Sequence, residues 1–243
     1  MNSCWEKQLY AMQPSEPATA QEAGAGRTAD QMTARNQAFE ALGECVISAL
    51  QGEAAPGDLI ETGIFFATKA EASSFGKYFY RYIYLGKEPV TLYAAGENGG
   101  FAICVSCEDP AGAVSEHLQV RDRLSQVTRA CGGMGDREKA EYFYEWVYDN
   151  VDYDRTLQSR TIYDAVVGGS GVCWGYVSSY LVLCRMGGLT CEPVYAGNHA
   201  WNRTWIDGEW RYCDITWDKC LECSTWRFLT QEEMDLDSMH NHL

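Results

Sequence analysis

The residues able to do chemistry gather in the last third of the chain. Gly168-Gly169-Ser170-Gly171 leads into Val172-Cys173-Trp174, and Val177, Tyr180, Leu181 and Cys184 then recur at helical spacing up to Gly187-Gly188. That places Cys173 in the first turn of a helix, where unpaired amide N–H groups and the positive end of the helix dipole favour the thiolate, the reactive form of cysteine. The same amides, those of Cys173 and Trp174 first, can hold a developing oxyanion. A buried core thiol is the competing reading of a lone cysteine, so its partners decide. Downstream, residues 199–206 read as a strand, Asp207-Gly208 as a two-residue turn, and residues 209–215 as the return strand. With a turn of two, Trp205 opposes Trp210, Trp201 opposes Asp214 and His199 opposes Thr216. His199 and Asp214 then leave the same sheet face as diagonal neighbours, and one extra turn residue would separate them.

A thiol at a helix start, an imidazole on a strand and a carboxylate beside it are the parts of a nucleophile, base and orienter relay. Cys173 would attack a carbonyl carbon. His199 would take the thiol proton and return it to the leaving amine, and Asp214 would fix the imidazole. The relay needs no cofactor. Of the four histidines, His240 and His242 lie at the very end of the chain and read as a flexible terminus, and His117 reads as a solvated residue on an early helix. His199 is therefore the natural base.

These groups must be carried by a fold, and the rest of the sequence outlines one. Residues 1–30, with Gln13-Pro14-Ser15-Glu16-Pro17 and no hydrophobic period, read as a flexible arm. Met32, Phe39, Leu42, Val46, Ile47 and Leu50 predict a long helix from Thr28 to Leu50. Residues 58–107 read as a small sheet, with Tyr78 to Leu85 as an aromatic strand and Glu97-Asn98-Gly99-Gly100 as a hairpin turn. Val120, Leu124, Val127 and Cys131 step along a second helix. After Gly132-Gly133-Met134-Gly135, a third is capped by Asp136 and carries Ala140, Phe143, Val147 and Val151. Phe228 to Met234 is expected to form a terminal helix over the core. The domains expected are an arm over 1–30, an N-terminal α/β region over 31–110 and a catalytic core over 111–243.

Composition bounds the function. Nineteen basic against 34 acidic residues give a formal net charge of −15 in 243 residues, which repels a phosphate backbone and makes nucleic acid an unfavourable partner. No apolar run reaches the length of a membrane span. The first 30 residues show no basic start followed by an apolar block, so a cytoplasmic protein is expected from the sequence as it stands, or a secreted or cell-surface one had a leader been removed. Eleven cysteines cannot all pair within one chain, and a catalytic Cys173 accounts for the odd one.

Three blocks, residues 171–176 (Gly-Val-Cys-Trp-Gly-Tyr), 197–202 (Gly-Asn-His-Ala-Trp-Asn) and 210–218 (Trp-Arg-Tyr-Cys-Asp-Ile-Thr-Trp-Asp), resemble the bacterial transglutaminase-like domains in order, spacing and neighbours. These domains are a branch of the papain-like cysteine enzymes. The resemblance covers roughly residues 112–220 and includes Trp146 to Asp154. It implies an α+β papain-like core in which the helix bearing the nucleophile packs on an antiparallel sheet, with Cys173 as nucleophile, His199 as base and Asp214 as third member. It implies a peptide or protein substrate attacked at an amide through a thioester, resolved by water in a protease or amidase or by an amine in an acyltransferase. Hydrolysis is favoured, because the calcium-binding and flanking modules of animal cross-linking enzymes have no room here.

Around this relay, Trp174 and Trp201 are the candidates to line a substrate cleft and Tyr153 a candidate donor to the oxyanion, while most other tryptophans read as packing. Asp218 reads as a loop cap. Cys104-x-x-Cys107 and Cys220-x-x-Cys223 have the spacing of zinc half-sites, although disulfides or unrelated thiols are the plainer readings. Two other functions stay open at this level: a catalytically inactive protein-binding domain of the same fold, and a zinc-stabilised interaction module.

Overall fold

The computed structural model describes residues 9–12, 29–52, 54–97 and 99–240. The chain divides into two compact units, residues 1–16 with 33–118 and residues 17–32 with 119–243. The arm expected over 1–30 lies almost wholly outside the described residues. Within it, Leu9–Ala11 form strand β1.

The first unit contains most of helix α1 (Ala29–Leu50), which follows the predicted hydrophobic period. Its sheet has the order β1-β3-β4-β2, with β2 Ile60–Phe66, β3 Val90–Glu97 and β4 Gly100–Cys107. β3 and β4 pair antiparallel down to Glu97 opposite Gly100, as the turn sequence predicts. The strand expected at Tyr78 to Leu85 is helical instead as far as Ile83. Helix α2 (Lys69–Tyr78) starts under a Thr68 and Glu71 capping box and continues into a π turn over Phe79–Ile83, closed by the Tyr84 N–H on the Phe79 carbonyl at 3.0 Å. Aromatic density favours a strand only while the period is two. Phe75, Phe79 and Ile83 are spaced by four, and that face is buried against Phe39 and Phe66.

Helix α3 (Pro110–Arg129) carries the boundary between the units. His117, expected at the surface, is buried near the start of α3; its Nδ1 accepts the Leu85 N–H at 3.3 Å and its ring stacks on Tyr84. The polarity of a single residue is outweighed there by the position of its helix face.

The second unit holds α4 (Asp136–Asn150), the short parallel pair β5 (Asp152–Tyr153) and β6 (Ser170–Gly171), and α5 (Ile162–Val166). It continues with α6 (Cys173–Met186) and an antiparallel sheet β7 (Cys191–Ala196), β8 (His199–Ile206) and β9 (Glu209–Cys213). It ends with α7 (Ile215–Cys220) and α8 (Gln231–Leu236). Gly135, not Asp136, caps α4, donating its N–H to Glu138 at 2.8 Å. α6 is packed against α4, α5, β7 and β8, and almost its whole circumference is buried. The helix that bears Cys173 thus packs on an antiparallel sheet, as the α+β expectation requires. At Gly175 the approach is close: an added Cβ would stand 3.0 Å from the Ala165 Cβ, so a larger residue there would press α6 away from α5.

Candidate active site

Cys173 is the first residue of α6, with Val172 as N-cap. Its position is set from upstream. The Asp154 carboxylate accepts the N–H groups of Thr156, Gln158 and Ser159 and the Thr156 hydroxyl, at 2.6 to 2.9 Å. Those bonds, led by the Thr156 hydroxyl, hold the Asp154 carboxyl well below the usual range. The Ser159 carbonyl in the loop they organise takes the Val172 N–H at 3.0 Å, fixing the residue before the thiol. α6 is then tied to the sheet and to the end of α4 by polar contacts inside the core. Asn202 Nδ2 donates to the Val177 carbonyl at 3.2 Å, the Thr204 hydroxyl bonds the Tyr180 hydroxyl at 3.2 Å, and the Tyr176 hydroxyl donates to the Val151 carbonyl at 2.9 Å. Helix start and histidine strand are thereby held in one frame.

The β8–β9 hairpin has the predicted register, with Ile206 opposite Glu209, Trp205 opposite Trp210 and Asn202 opposite Cys213. Asp207 and Gly208 both have positive φ, 54° and 86°, as a two-residue type I′ turn demands. The strand pairing stops at Cys213. Asp214 is the N-cap of α7, so Thr216 is helical and does not oppose His199. The parity still holds: His199 Nε2 lies 2.5 Å from Asp214 Oδ2. The other carboxylate oxygen, Oδ1, accepts the Trp217 N–H at 3.0 Å. One side chain both starts α7 and orients the imidazole.

The electrostatics follow from this geometry. Burial alone would push the His199 imidazole towards neutrality, but the hydrogen bonds and charges of Asp214 and Cys173 outweigh it and raise the imidazole to about 9. Burial would likewise push the Asp214 carboxyl up, and the two imidazoles bonded to it, His199 and His240, hold it below its usual range. With Nε2 committed to Asp214, Nδ1 is the nitrogen left for the thiol. Burial raises the thiols of Cys107, Cys131, Cys184 and Cys213 away from their reactive form, and Cys173 is half-buried. No two of the ten described cysteines are joined in a disulfide.

The weaker candidates separate. Trp174 is half-buried and stacks on Tyr195 with ring centres 5.9 Å apart. Tyr153 lies opposite Gly171 in the β5–β6 pair, within electrostatic reach of Cys173; burial first, then that thiol, keeps its phenol protonated. Trp201 is only 5% exposed, and its ring backs His199 at 5.8 Å, so it walls the imidazole from behind and offers little face to a cleft. Asp218 is fully buried and pins the following loop, accepting the Trp226 N–H at 3.1 Å and the Cys223 thiol at 3.4 Å. Cys104 and Cys107 lie three apart on β4 and join apolar clusters on its opposite faces, so they cannot share an ion. Among the described residues neither Cys-x-x-Cys pair belongs to a metal-capable group; the one such group is His199, Asp214 and His240.

Two residues that the sequence left outside the relay, Trp217 as packing and His240 as a chain end, lie against it. Trp217 stacks flat on His199, ring centres 4.7 Å apart and planes 9° apart, and closes the other side of the imidazole. Its place in the Trp217-Asp218 step after Asp214 was visible, but its direction depends on a helical turn where a strand was expected. His240, expected in a flexible end, is buried beside Asp214, with its Nε2 3.1 Å from Oδ2. The turn after α8, anchored through Asp237, brings it back.

A cysteine at a helix start, a histidine on an adjoining antiparallel sheet and an aspartate just past the last strand of that sheet define an α+β domain of the papain-like class. Comparison with known proteins gives its branch: residues 125–215 match the family described as the Transglutaminase-like superfamily, and the chain carries a transglutaminase-like domain. The kyphoscoliosis peptidase of Mus musculus is 24% identical over 112 residues, 37% of this chain and 17% of that protein. Its Homo sapiens counterpart is 24% identical over 108 residues, 35% and 16% of the respective chains. The matches thus span about a sixth of these relatives. A solved structure of a TGase overlays 52% of this chain and 43% of its own at 17% identity, with a TM-score of 0.35. No helix among the described residues is long and apolar enough to cross a membrane.

Proposed function

We propose that the second unit is a cysteine-dependent enzyme acting on amide bonds of peptides or proteins, with Cys173 as nucleophile, His199 as base and Asp214 as its orienter. The observation that carries this reading is the imidazole itself: buried between Trp201 and Trp217, bonded through Nε2 to a carboxylate, and close enough to the Cys173 thiol for that thiol to help raise it. In the first step the Cys173 sulfur bonds to the carbonyl carbon while its proton passes to His199 Nδ1. The oxyanion is met by the Cys173 and Trp174 amides at the start of α6, positions whose N–H groups have no intrahelical acceptor, whereas the Gly175 N–H is taken by the Val172 carbonyl at 2.8 Å. The C–N bond then breaks, His199 returns the proton to the departing amine, and a thioester remains on Cys173. Water resolves it in a hydrolase and a second amine in an acyltransferase. The peptidase name of the curated relatives supports hydrolysis.

The test has two parts. Iodoacetamide should label Cys173 in the folded protein much faster than Cys45 or Cys220, the exposed thiols, and His199→Ala should remove that preference. Wild type and Cys173→Ala are then compared on peptide, glutamine-plus-amine and cell-wall substrates. Turnover lost in Cys173→Ala supports the enzyme. Equal labelling of all three thiols, unaffected by His199→Ala, together with no turnover on any substrate, would support the alternative of an inactive binding domain.

A further inference from the structure

His240 and the segment that carries it belong to no part of the relay described so far, yet they converge on its third member. His240 is 5% exposed. Its Nε2 lies 3.1 Å from Asp214 Oδ2, the same oxygen that receives His199, and its Nδ1 is bonded to Asp237 Oδ2. Asp237 is itself fixed by the Trp226 indole N–H at 2.8 Å and by the His240 backbone N–H at 3.3 Å. Three indoles enclose the ring, with centres at 4.3 Å for Trp217, 4.5 Å for Trp201 and 5.8 Å for Trp226. The titratable groups facing His240 are Asp214, Asp237 and His199; Cys220 acts on Asp214 and Cys173 on His199 from outside this cage.

Both ring nitrogens of His240 face carboxylate oxygens, so the geometry asks both to donate. A carboxylate oxygen receiving two imidazole N–H groups, with its twin receiving the Trp217 N–H, has lost the freedom to rotate. That freedom is what His199 would feel as a variable ring angle. The segment is also assembled locally: Thr230 and Glu233 form a capping box at the start of α8, and Met234 seats the helix in the apolar cluster with Trp201 and Tyr212. Its backbone is anchored just before, where Tyr212 and Leu229 exchange hydrogen bonds at 2.8 Å in both directions.

On the catalytic reading of Cys173 and His199 given above, we propose that His240 is a positioning residue: it clamps Asp214 at the same carboxylate oxygen that His199 meets, and the turn Asp237–His240 is thereby a working part of the active site. His240 touches neither thiol nor substrate; it acts through Asp214. A charge-assisted hydrogen bond of this kind is worth enough that its loss should slow the reaction by about tenfold.

The experiment measures the rate of Cys173 alkylation by iodoacetamide between pH 6 and 8, with the His199 titration midpoint followed by NMR on histidine-labelled protein. Four variants are compared with wild type. His240→Leu fills the cage without a donor, His240→Gln returns a donor near the Nε2 position, Met234→Ala loosens the same segment without touching Asp214, and His199→Ala removes the base. Expected are alkylation about tenfold slower with a displaced His199 midpoint in His240→Leu, recovery to within about threefold in His240→Gln, and an unchanged midpoint in Met234→Ala. If His199→Ala is slow while His240→Leu reacts like wild type, the clamp is overturned and the relay stands. If His199→Ala also reacts like wild type, the relay itself fails and the clamp with it. A Met234→Ala midpoint that moves as far as that of His240→Leu overturns the clamp by showing a merely structural tail.

Discussion

The two units bury different things. Of the eleven buried polar or charged residues among those described, only His117 lies in the first unit; Asp154, Ser178, Ser179, His199, Asn202, Thr204, Asp214, Thr216, Asp218 and His240 all lie in the second. The first unit is instead packed with rings, Phe39, Phe66, Phe75, Phe79 and Tyr78 meeting at centre distances from 5.0 to 6.2 Å. Apolar burial stabilises without direction, at about 25 cal/mol per Å². Buried polar groups contribute little net stability and are costly when unpaired, so ten in one unit have to be explained by what they position.

That difference makes the largest prediction a double dissociation. Phe75→Ala should cost the first unit about 3–5 kcal/mol in denaturant unfolding and leave Cys173 alkylation per folded molecule unchanged. Cys173→Ala should abolish turnover with a stability change of about 1 kcal/mol or less. A Phe75→Ala protein that stays folded yet loses alkylation would break the comparison. Asp214→Asn comes next. Asn has one carbonyl for the three donors Asp214 now receives, and turning its amide to His199 forces Nε2 to accept. Turnover should fall by at least about a hundredfold, as with other triads held in the wrong tautomer, and the His199 midpoint should drop from about 9. A midpoint that stays near 9 would mean Asp214 is not what raises it.

A smaller effect is read in stability against pH. His199 binds its proton more tightly when folded, at about 9, than an ordinary histidine at 6.5, so its contribution is complete below 6.5 and is lost as pH rises through 9. Asp214, held low when folded, reports the same contact from the other side: its contribution is present above the ordinary carboxylate value and is lost in acid. The stability difference between wild type and His199→Gln should therefore shrink by up to about 3 kcal/mol between pH 6.5 and 9.5, measured by urea unfolding. A flat difference would place the imidazole outside the Asp214 contact in solution.

The same contrast governs what could be read beforehand. The placement of Cys173 at a helix start and the contact of His199 with Asp214 were legible because each rests on a local rule: a glycine lead into a helix, a two-residue turn, and a strand parity that survives even though the strand ends two residues early. Trp217 and His240 were not, because a helical turn after Asp214 and a returning tail rest on contacts far along the chain. In the first unit the β3–β4 hairpin was plain from its turn. The helix through Phe79 was not, because aromatic residues favour strands until a spacing of four is noticed. Trp201 was misjudged in direction, since sheet parity says which face a ring leaves but not what covers it.

The smallest prediction asks whether the ten buried polar groups are one network or several. The Tyr144 hydroxyl on α4 donates to Asp218 Oδ2 at 2.5 Å, on the helix that Asp214 caps. Burial first, and then that carboxylate, raises the phenol well above its usual range, so it stays a donor throughout the working pH. Tyr144→Phe keeps the ring contacts with Phe228 and Arg227 and removes only the hydroxyl. The exposed cost is a buried carboxylate oxygen short of a partner, about 1–3 kcal/mol. Asp218 Oδ1 keeps the Trp226 N–H and the Cys223 thiol, so the loop they pin should hold and the His199 midpoint should stay within about 0.3 of wild type. A midpoint that moves further would show that Asp214 and Asp218, four residues apart on one helical turn, respond together, and that the polar interior of the second unit transmits strain to the imidazole as a whole.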